Sequence, residues 1–397
     1  MSSILIVGGG IGGLTAALAL LQRGFKVRVL EQSRELREVG AGLTLTPNAS
    51  RALAALGLAE TLDAIGSAPA RGVIRHYASG ATLVPLIEED SRARYGAPVY
   101  HVHRADLHLM LLQAIETRWP GTVGTGCEVI RLEQDGNSVT VALADGQRLG
   151  GAALIGADGV RSRLRALCFG DDQPRFSGFV AFRGLVPGDA LAPELKDPPI
   201  SFWVGPRRSF MRYRLRGGQL YNYVAIARRD DWAEEGWTIP ARVEEVLAEF
   251  ADFETRVHGV LHATPHEGLF GWGIFERAAL PTWVSGRVTL LGDAAHAMPP
   301  FLGQGAVMAI EDGVVLGRAF AATDSVESAL ALYEATRRPR TAAIARLAQA
   351  QGEVYHADDP STQVTTLGRS MAEQRRFYDY DAGKVPLQGN TTKGVFR

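Results

Sequence analysis

The stretch from the N-terminus to Glu31 limits most tightly what this chain can become. A continuous apolar run, Ile4-Leu5-Ile6-Val7, has the composition of a parallel strand covered on both faces. Gly8-Gly9-Gly10-Ile11-Gly12-Gly13 follows, then helix formers over 14–22, a stop at Gly24, and a second strand, Lys26-Val27-Arg28-Val29-Leu30, ending in Glu31. About 30 residues is the length of a βαβ unit. In Gly8-x-Gly10-x-x-Gly13 the first glycine permits the tight turn and the second lets a pyrophosphate approach the backbone. The third lets helix and strand pack closely. Phosphates would lie at the helix N-terminus, where free N–H groups and the macrodipole favour negative charge. Glu31, at the tip of the second strand, is placed to accept from a ribose hydroxyl and would repel a 2′-phosphate. The expected nucleotide is therefore FAD or NAD rather than NADP.

The same stretch, over 4–21, is uncharged and just reaches the length of about 18 residues at which a membrane span becomes possible. Its glycines divide it into strand, turn and helix, and its first charge is Arg23 where a signal peptide would carry a basic region, so no signal peptide is expected. A cytoplasmic chain without a membrane partner is expected. The 42 Lys+Arg nearly cancel 43 Asp+Glu, which removes the electrostatic case for a nucleic-acid or anionic-membrane binder. With 46% hydrophobic residues the chain is not largely disordered, and 397 residues suffice for two or three domains. Two cysteines, Cys127 and Cys168, make no disulfide framework and no structural zinc site, so reduced thiols and no metal are expected. Glycine is in surplus: 45 occur, where an average usage of about 7% would give about 28.

Further along, helical patterns are read at 48–56, 58–65, 107–117 and 242–250, and strands at 73–86 and 98–103. A hairpin is read around Asp135-Gly136-Asn137 and a buried strand at Ala153-Leu154-Ile155. From 176 to 272 the texture changes to alternating strands with aromatics, at 201–204, 209–215 and 220–227, the last two joined by Arg216-Gly217-Gly218-Gln219. A fully apolar strand returns at 287–291, followed by helices at 306–321 and 326–350. The expected class is α/β (α+β overall). A Rossmann-like, discontinuous nucleotide domain with a parallel sheet spans 1–72, 99–175 and 273–350. A mostly antiparallel substrate-binding sheet domain, 73–98 and 176–272, is inserted in it, and 351–397 forms a C-terminal helical tail.

Two more clusters carry chemistry. Gly292-Asp293 ends the strand at 288–291, and Gly303-Gln304-Gly305 opens the next helix. Asp293 is placed to hydrogen-bond a ribityl chain, and the N–H groups of Ala306 and Val307 to hold negative charge on a flavin ring. The alternative is an exposed aspartate before a capped helix. In Gly156-Ala157-Asp158-Gly159-Val160-Arg161-Ser162, Asp158 is either a ligand contact or a cap for a helix at 161–167, with Arg161, Arg163 and Arg165 on a solvated face.

In this order the three clusters resemble the single-component (class A) FAD-dependent aromatic hydroxylases, the group of salicylate hydroxylase, 3-hydroxybenzoate 6-hydroxylase and 6-hydroxynicotinate 3-monooxygenase. The likeness covers at least residues 3–350 and includes Gly40-Ala41-Gly42, His103-Arg104-Ala105-Asp106-Leu107, and Gly292-Asp293-Ala294-Ala295-His296 running to Glu311-Asp312. It implies one tightly but non-covalently bound, extended FAD, with NADH or NADPH as a transient co-substrate that needs no second dinucleotide fold. No other G-x-G-x-x-G occurs here. By the same likeness the FAD contacts are Gly8, Gly10, Ile11, Gly12, Gly13, Glu31, Gln32, Gly42, Thr44, Arg104, Asp158, Asp293, Gly305, Ala306 and Val307. Arg104 would meet the phosphates or ribose, and Asp158 would serve both FAD and NAD(P)H. Pro299-Pro300 would lie beside the flavin ring, with Pro300 edging the substrate. The family's reduced flavin adds O2, and its C4a-hydroperoxide transfers one oxygen to an electron-rich ring. The implied substrate is a small hydroxylated aromatic or heteroaromatic acid, and the enzyme a monomer or homodimer.

The chain departs from several relatives at the pocket strand, where a His stands four residues before a Tyr. Here the positions are Ser209 and Tyr213. Alternation puts Ser209, Met211 and Tyr213 on one face, as substrate contacts, and Phe210, Arg212 and Arg214 on the other. The two arginines are surface charges, or carboxylate partners if the faces are inverted. The candidate catalytic groups are Tyr213, Pro300 and His101, the last as a replacement base. The competing readings are core packing for Tyr213 and a half-buried strand histidine for His101. Four alternative functions stand beside hydroxylation: decarboxylative hydroxylation, oxygenation of a larger polyketide or alkaloid, a flavin dehydrogenase or reductase, and an FAD-binding scaffold. Gly303-Gln304-Gly305 argues against the scaffold.

Overall fold

The computed structural model describes residues 3–36, 41–85, 91–170, 172–229, 239–359, 366 and 376–389. Gly40 of the Gly40-Ala41-Gly42 match and most of 360–397 lie outside them. Strands β1 (Ile4–Val7) and β11 (Ala153–Gly156) are buried at every residue, a pattern that only the interior of a doubly covered sheet satisfies. They form the centre of a six-stranded sheet in the order β18 (Val284–Ser285), β19 (Val288–Leu290), β11, β1, β2 (Val27–Leu30), β7 (Val123–Gly124). All its pairings are parallel except that of the edge strand β18.

Helix α1 (Ile11–Leu21) makes the crossover from β1 to β2, so the uncharged stretch at 4–21 is strand, turn and helix. A Cβ on Gly13 would run into the Gly8 carbonyl, so helix and strand approach this closely only at glycine. Helix α10 (Gly305–Ala321) lies against α1 through the same device: a Cβ on Gly313 would stand 2.7 Å from the Ala16 nitrogen. Around this layer stand α2 (Pro47–Ala55), α3 (Ala59–Ile65), α4 (Ser91–Tyr95), α5 (Arg104–Glu116), α6 (Arg163–Phe169), the short α9 (Asp293–His296) and α11 (Val326–Tyr355).

The second large sheet has eight strands, in the order β16 (Ile239–Pro240), β17 (Leu269–Glu276), β12 (Arg175–Pro187), β15 (Leu220–Arg228), β14 (Arg208–Leu215), β13 (Ile200–Gly205), β4 (Gly72–His76), β5 (Thr82–Pro85). Only the β13–β4 pair is parallel. One face buries Phe182, Trp203, Phe210 and Tyr223 against α7 (Val243–Glu249) and α8 (Thr255–His262). The other face meets the ribbon of β3 (Gly42–Leu45) and β6 (Tyr100–His103), the 300–302 turn and the end of α11. A small antiparallel meander of β8 (Val129–Gln134), β9 (Val139–Leu143) and β10 (Arg148–Gly151) completes the α/β architecture.

The strand read at 73–86 is two strands joined by a turn: Gly80 takes φ +65°, and the His76 ring accepts from the Ala78 and Ser79 N–H groups. The helix read at 161–167 begins two residues later, because Ser162 is its N-cap. Arg165 is not on a solvated face. It is 1% exposed, paired with Asp172 at 2.5 Å, and donates to the carbonyls of Ala278, Ala294 and Ala295. α11 runs past 350 to Tyr355 without a break.

Four elements, α2, α9 with its cap, α10 and α11, converge on one buried ionic cluster. Arg337 donates to Asp312 and Glu311 at 2.7 Å each, Arg340 to both oxygens of Glu311, and the Asn48 amide to Glu311 at 2.6 Å. His296 Nε2 and the Gly292 N–H reach the second Asp312 oxygen. Burial works to raise the Asp312 pKa, but His296 and Arg337 outweigh it and hold the group down at about 2. Removing one partner of such a pair costs about 3–5 kcal/mol, so Arg337→Met should lower Tm by several degrees. A carboxylate depressed from 3.8 contributes stability above about pH 4 that disappears as pH falls through about 2. The Tm gap between wild type and Asp312→Asn should close over that interval. A gap that stays constant there would refute the assignment.

Candidate active site

At the carboxyl edge of the parallel sheet, a cleft of about 220 Å³ is lined by Gly8, Gly10, Glu31, Gln32, Asp158, Gly159 and Arg163. α1 starts at Ile11 behind Gly10, which provides no side-chain cap, and a Cβ on Gly10 would meet nothing within 4 Å. Its first N–H groups therefore face open space, where a ligand backbone can approach. Gly8 takes φ +107°, and a side chain there would strike the Ala157 carbonyl. Gly12 faces the other way, against Leu291 and Ala309. Glu31 is fixed at the tip of β2 by the N–H groups of Gly9 and Ser33, each at 2.8 Å. Asp158 accepts from Ser162 Oγ at 2.6 Å and the Leu164 N–H at 3.1 Å, while burial raises its pKa. It thus lines the cleft and also caps α6. An uncapped helix start, a glycine-only approach and a ribose-height carboxylate fit a pyrophosphate-linked nucleotide.

A second helix start opens further along the same edge. Asp293 is exposed at the head of α9, its Oδ1 3.7 Å from where a Gly305 Cβ would be. α10 begins there behind Gln304 with no side-chain cap, and Ala306 and Val307 supply its next N–H groups. Arg104 opens α5, its own N–H bonded to the Ala41 carbonyl. Thr44 on β3 faces His101 on β6.

The β3–β6 ribbon brings this edge to the large sheet. The Gly42 N–H donates to Asn222 Oδ1 at 2.8 Å, and the Tyr213 and His101 rings lie 4.3 Å apart. Burial pushes the Tyr213 phenol up to about 12, against the opposing charge of Arg183. Burial, then Arg214, pushes His101 down to about 3. The pair is a neutral phenol beside a neutral imidazole. Ser209, Met211 and Tyr213 do share the face turned towards the ribbon, with Phe210 on the other. Met211 packs near Phe301 of the 300–302 turn, and Pro300 is exposed at its start.

Arg212 is not a surface charge. It is 1% exposed, donates to the carbonyls of Leu195 and Pro198, and lies over the Tyr221 ring. Two residues were missed by sequence reasoning. His356, at the end of α11, accepts from Ser209 through Nε2 at 3.0 Å while its Nδ1 donates to the Gly352 carbonyl. An imidazole thus stands beside the position that lacks one in sequence, but no spacing connects 209 with 356. Arg183 stands on the same sheet face as Met211, and its only sequence signal is an arginine within the otherwise apolar run 179–187.

A Cβ on Gly42 would lie 2.5 Å from the Tyr213 ring, which His101 backs. Gly42→Ala should therefore cost about 1–3 kcal/mol through overpacking, read as a lowered Tm. An unchanged Tm would mean that Tyr213 is not held there.

The FAD binding domain family model matches residues 1–348. The chain is 37% identical over 379 residues to 3-amino-4-hydroxybenzoate 2-monooxygenase PtnB3 of Streptomyces platensis, covering 95% of this chain and 94% of that one. It is 38% identical over 380 residues to the 3-hydroxybenzoate 6-hydroxylase of Polaromonas naphthalenivorans (strain CJ2), with 95% and 94% covered. The crystal structure of Klebsiella pneumoniae HpxO complexed with FAD and uric acid superimposes with a TM-score of 0.80 at 28% identity, covering 96% of this chain and 93% of that one. The two uncapped helix starts, Glu31 and this full-length likeness agree: the chain belongs to the FAD binding domain family, as a flavoprotein oxidoreductase of its aromatic monooxygenase branch.

Proposed function

We propose that the chain hydroxylates a small hydroxylated aromatic or heteroaromatic acid, using FAD, NADH or NADPH, and O2. The observation that carries this reading is the placement of two uncapped helix starts along one sheet edge, with Met211 of the second sheet packed near Phe301 in the turn just ahead of the far one. The relatives that act on 3-amino-4-hydroxybenzoate and 3-hydroxybenzoate support the substrate class.

In this reading the backbone from Gly8 to Gly13 with Ile11 holds the pyrophosphate, Glu31 and Gln32 the adenosine ribose, and Arg104 and Asp158 the phosphate stretch. Asp293 holds the ribityl chain, while Gly305, Ala306 and Val307 face the flavin ring beside Gly42 and Thr44. Bound FAD supplies the electron relay from nicotinamide and the activation of O2. The chain's own residues hold the ring in place, exclude water and position the phenol. Met211, Pro300 and Tyr213 edge the substrate. Tyr213, neutral and buried, donates a hydrogen bond rather than removing a proton, and His101 seats Tyr213 from behind. Ser209 serves through His356, which burial holds neutral at about 4.

Purified protein should be yellow. A panel of hydroxylated benzoates and pyridine carboxylates should contain a compound that accelerates NADH or NADPH oxidation, with O2 uptake and a product heavier by one oxygen. Turnover that persists without O2, or a colourless protein that FAD does not reconstitute, would overturn the proposal. Asp293→Ala should weaken FAD binding about tenfold or more, because charge-assisted hydrogen bonds contribute about 1.5–3 kcal/mol. The fold should survive, since the carboxylate is exposed. Unchanged FAD affinity would refute its role.

A further inference from the structure

We infer that Arg183 is the counter-ion for the carboxylate of the aromatic substrate. This rests on the hydroxylase reading above and names the end by which the substrate is held. The register of the large sheet places Met211 opposite Val224, Val224 opposite Arg183, and Arg183 opposite Phe270. These four residues form one row across β14, β15, β12 and β17, all pointing to the same face. Each keeps partial exposure. The flanking rows are more enclosed: Tyr213 and Asn222 are buried on one side, with Leu185 at their end partly exposed, and Ser209, Ile226, Ala181 and Trp272 are all buried on the other. The accessible row is therefore the floor of a recess, apolar along three positions and cationic at one.

The other arginines that are about 1% exposed or less have their terminal guanidinium nitrogens held by fixed acceptors, although the Arg212 Nε is also without a partner. Arg165 has Asp172 and three carbonyls, Arg212 two carbonyls, Arg337 two carboxylates. Arg183 has no carboxylate within ion-pair distance among the described residues. Its buried Nε lacks a hydrogen-bond partner, and its guanidinium lies 5.1 Å over the Trp272 ring. Burial pushes its pKa below the ordinary arginine value, with Tyr213 working against that shift and the charge of Arg104 adding to it. A planar guanidinium braced on an indole face is suited to bidentate recognition of a carboxylate. Met211, Val224 and Phe270 offer the apolar surface an attached ring needs. Nothing acidic occupies the row, so an ammonium-bearing aromatic of the same size would be repelled.

The test compares acid with amide on the FAD-loaded enzyme. Dissociation constants for 3- and 4-hydroxybenzoate and for the matching hydroxybenzamides are read from the flavin absorbance change. Wild type should bind the acid about 10- to 100-fold more tightly than the amide. Arg183→Met should abolish that preference with less than about threefold change for the amide, and Arg183→Lys should restore part of it. Equal losses for acid and amide, or an unchanged acid preference, would overturn the assignment. So would a variant whose defect is confined to FAD affinity, which would give Arg183 to the cofactor. Should Arg183→Met fail to fold, wild type alone decides: affinity must fall from hydroxybenzoate to hydroxybenzamide to hydroxybenzylamine, and amine binding as tight as acid binding refutes the proposal. Turnover of neutral phenols but never of acids sinks Arg183 and leaves the hydroxylase standing. No turnover with any hydroxyaromatic sinks both.

Discussion

The charged cluster of Glu311, Asp312, Arg337 and Arg340 holds the active edge of the molecule together. Two carboxylates with no solvent exposure would be intolerable alone. Here almost every oxygen lone pair is taken, by guanidinium groups from α11, an amide from α2, and a ring and a backbone N–H from the loop after β19. That connection runs through Gly292 into the short α9, so the cluster fixes the segment that presents Asp293 outward. The acids lie inside α10, whose first residue stands next to Asp293. One set of ion pairs thus ties the start of a helix and the carboxylate beside it to the same frame.

The two sheets divide the work between them. The parallel sheet sends its strand ends and two helix starts to one edge, and that edge handles phosphate, ribose and ring. The antiparallel sheet contributes a face. They meet at the β3–β6 ribbon, where the Gly42 N–H bonds to Asn222 and the missing side chain admits Tyr213. A glycine on one body receiving an aromatic ring from the other is a joint without slack.

Much of this was legible in the chain because it is local. The strand–glycine–helix–strand–acid order from Ile4 to Glu31 is read within one βαβ unit, and alternation alone assigned Ser209, Met211 and Tyr213 to one face. What was not legible depends on partners distant in sequence. Arg165 looked solvated because its neighbours are Arg161 and Arg163, while three of its acceptors are the carbonyls of Ala278, Ala294 and Ala295, far along the chain. Arg212 looked like a strand's outer charge until β13 and its preceding turn closed over it. His356 and Ser209 meet only because the end of α11 returns to the sheet, and Glu311-Asp312 could be recognised as a motif without any sign that Arg337 answers it. The glycine surplus belongs to both kinds. Its turn positions announce themselves, but Gly313 and Gly317 owe their identity to α1, at the opposite end of the sequence.

The row Met211–Val224–Arg183–Phe270 also bears on how such a molecule diversifies. Its members are joined by main-chain ladders, which do not depend on what side chains the row carries. The opposite face, with its aromatic packing on α7 and α8, supports the strands independently. Replacing one floor residue therefore alters the shape or charge of the recess while leaving the scaffold's stability to residues on the far side. Such a sheet can be retargeted one position at a time, and descendants that accept different rings need share neither a floor sequence nor a polarity, only the register beneath it.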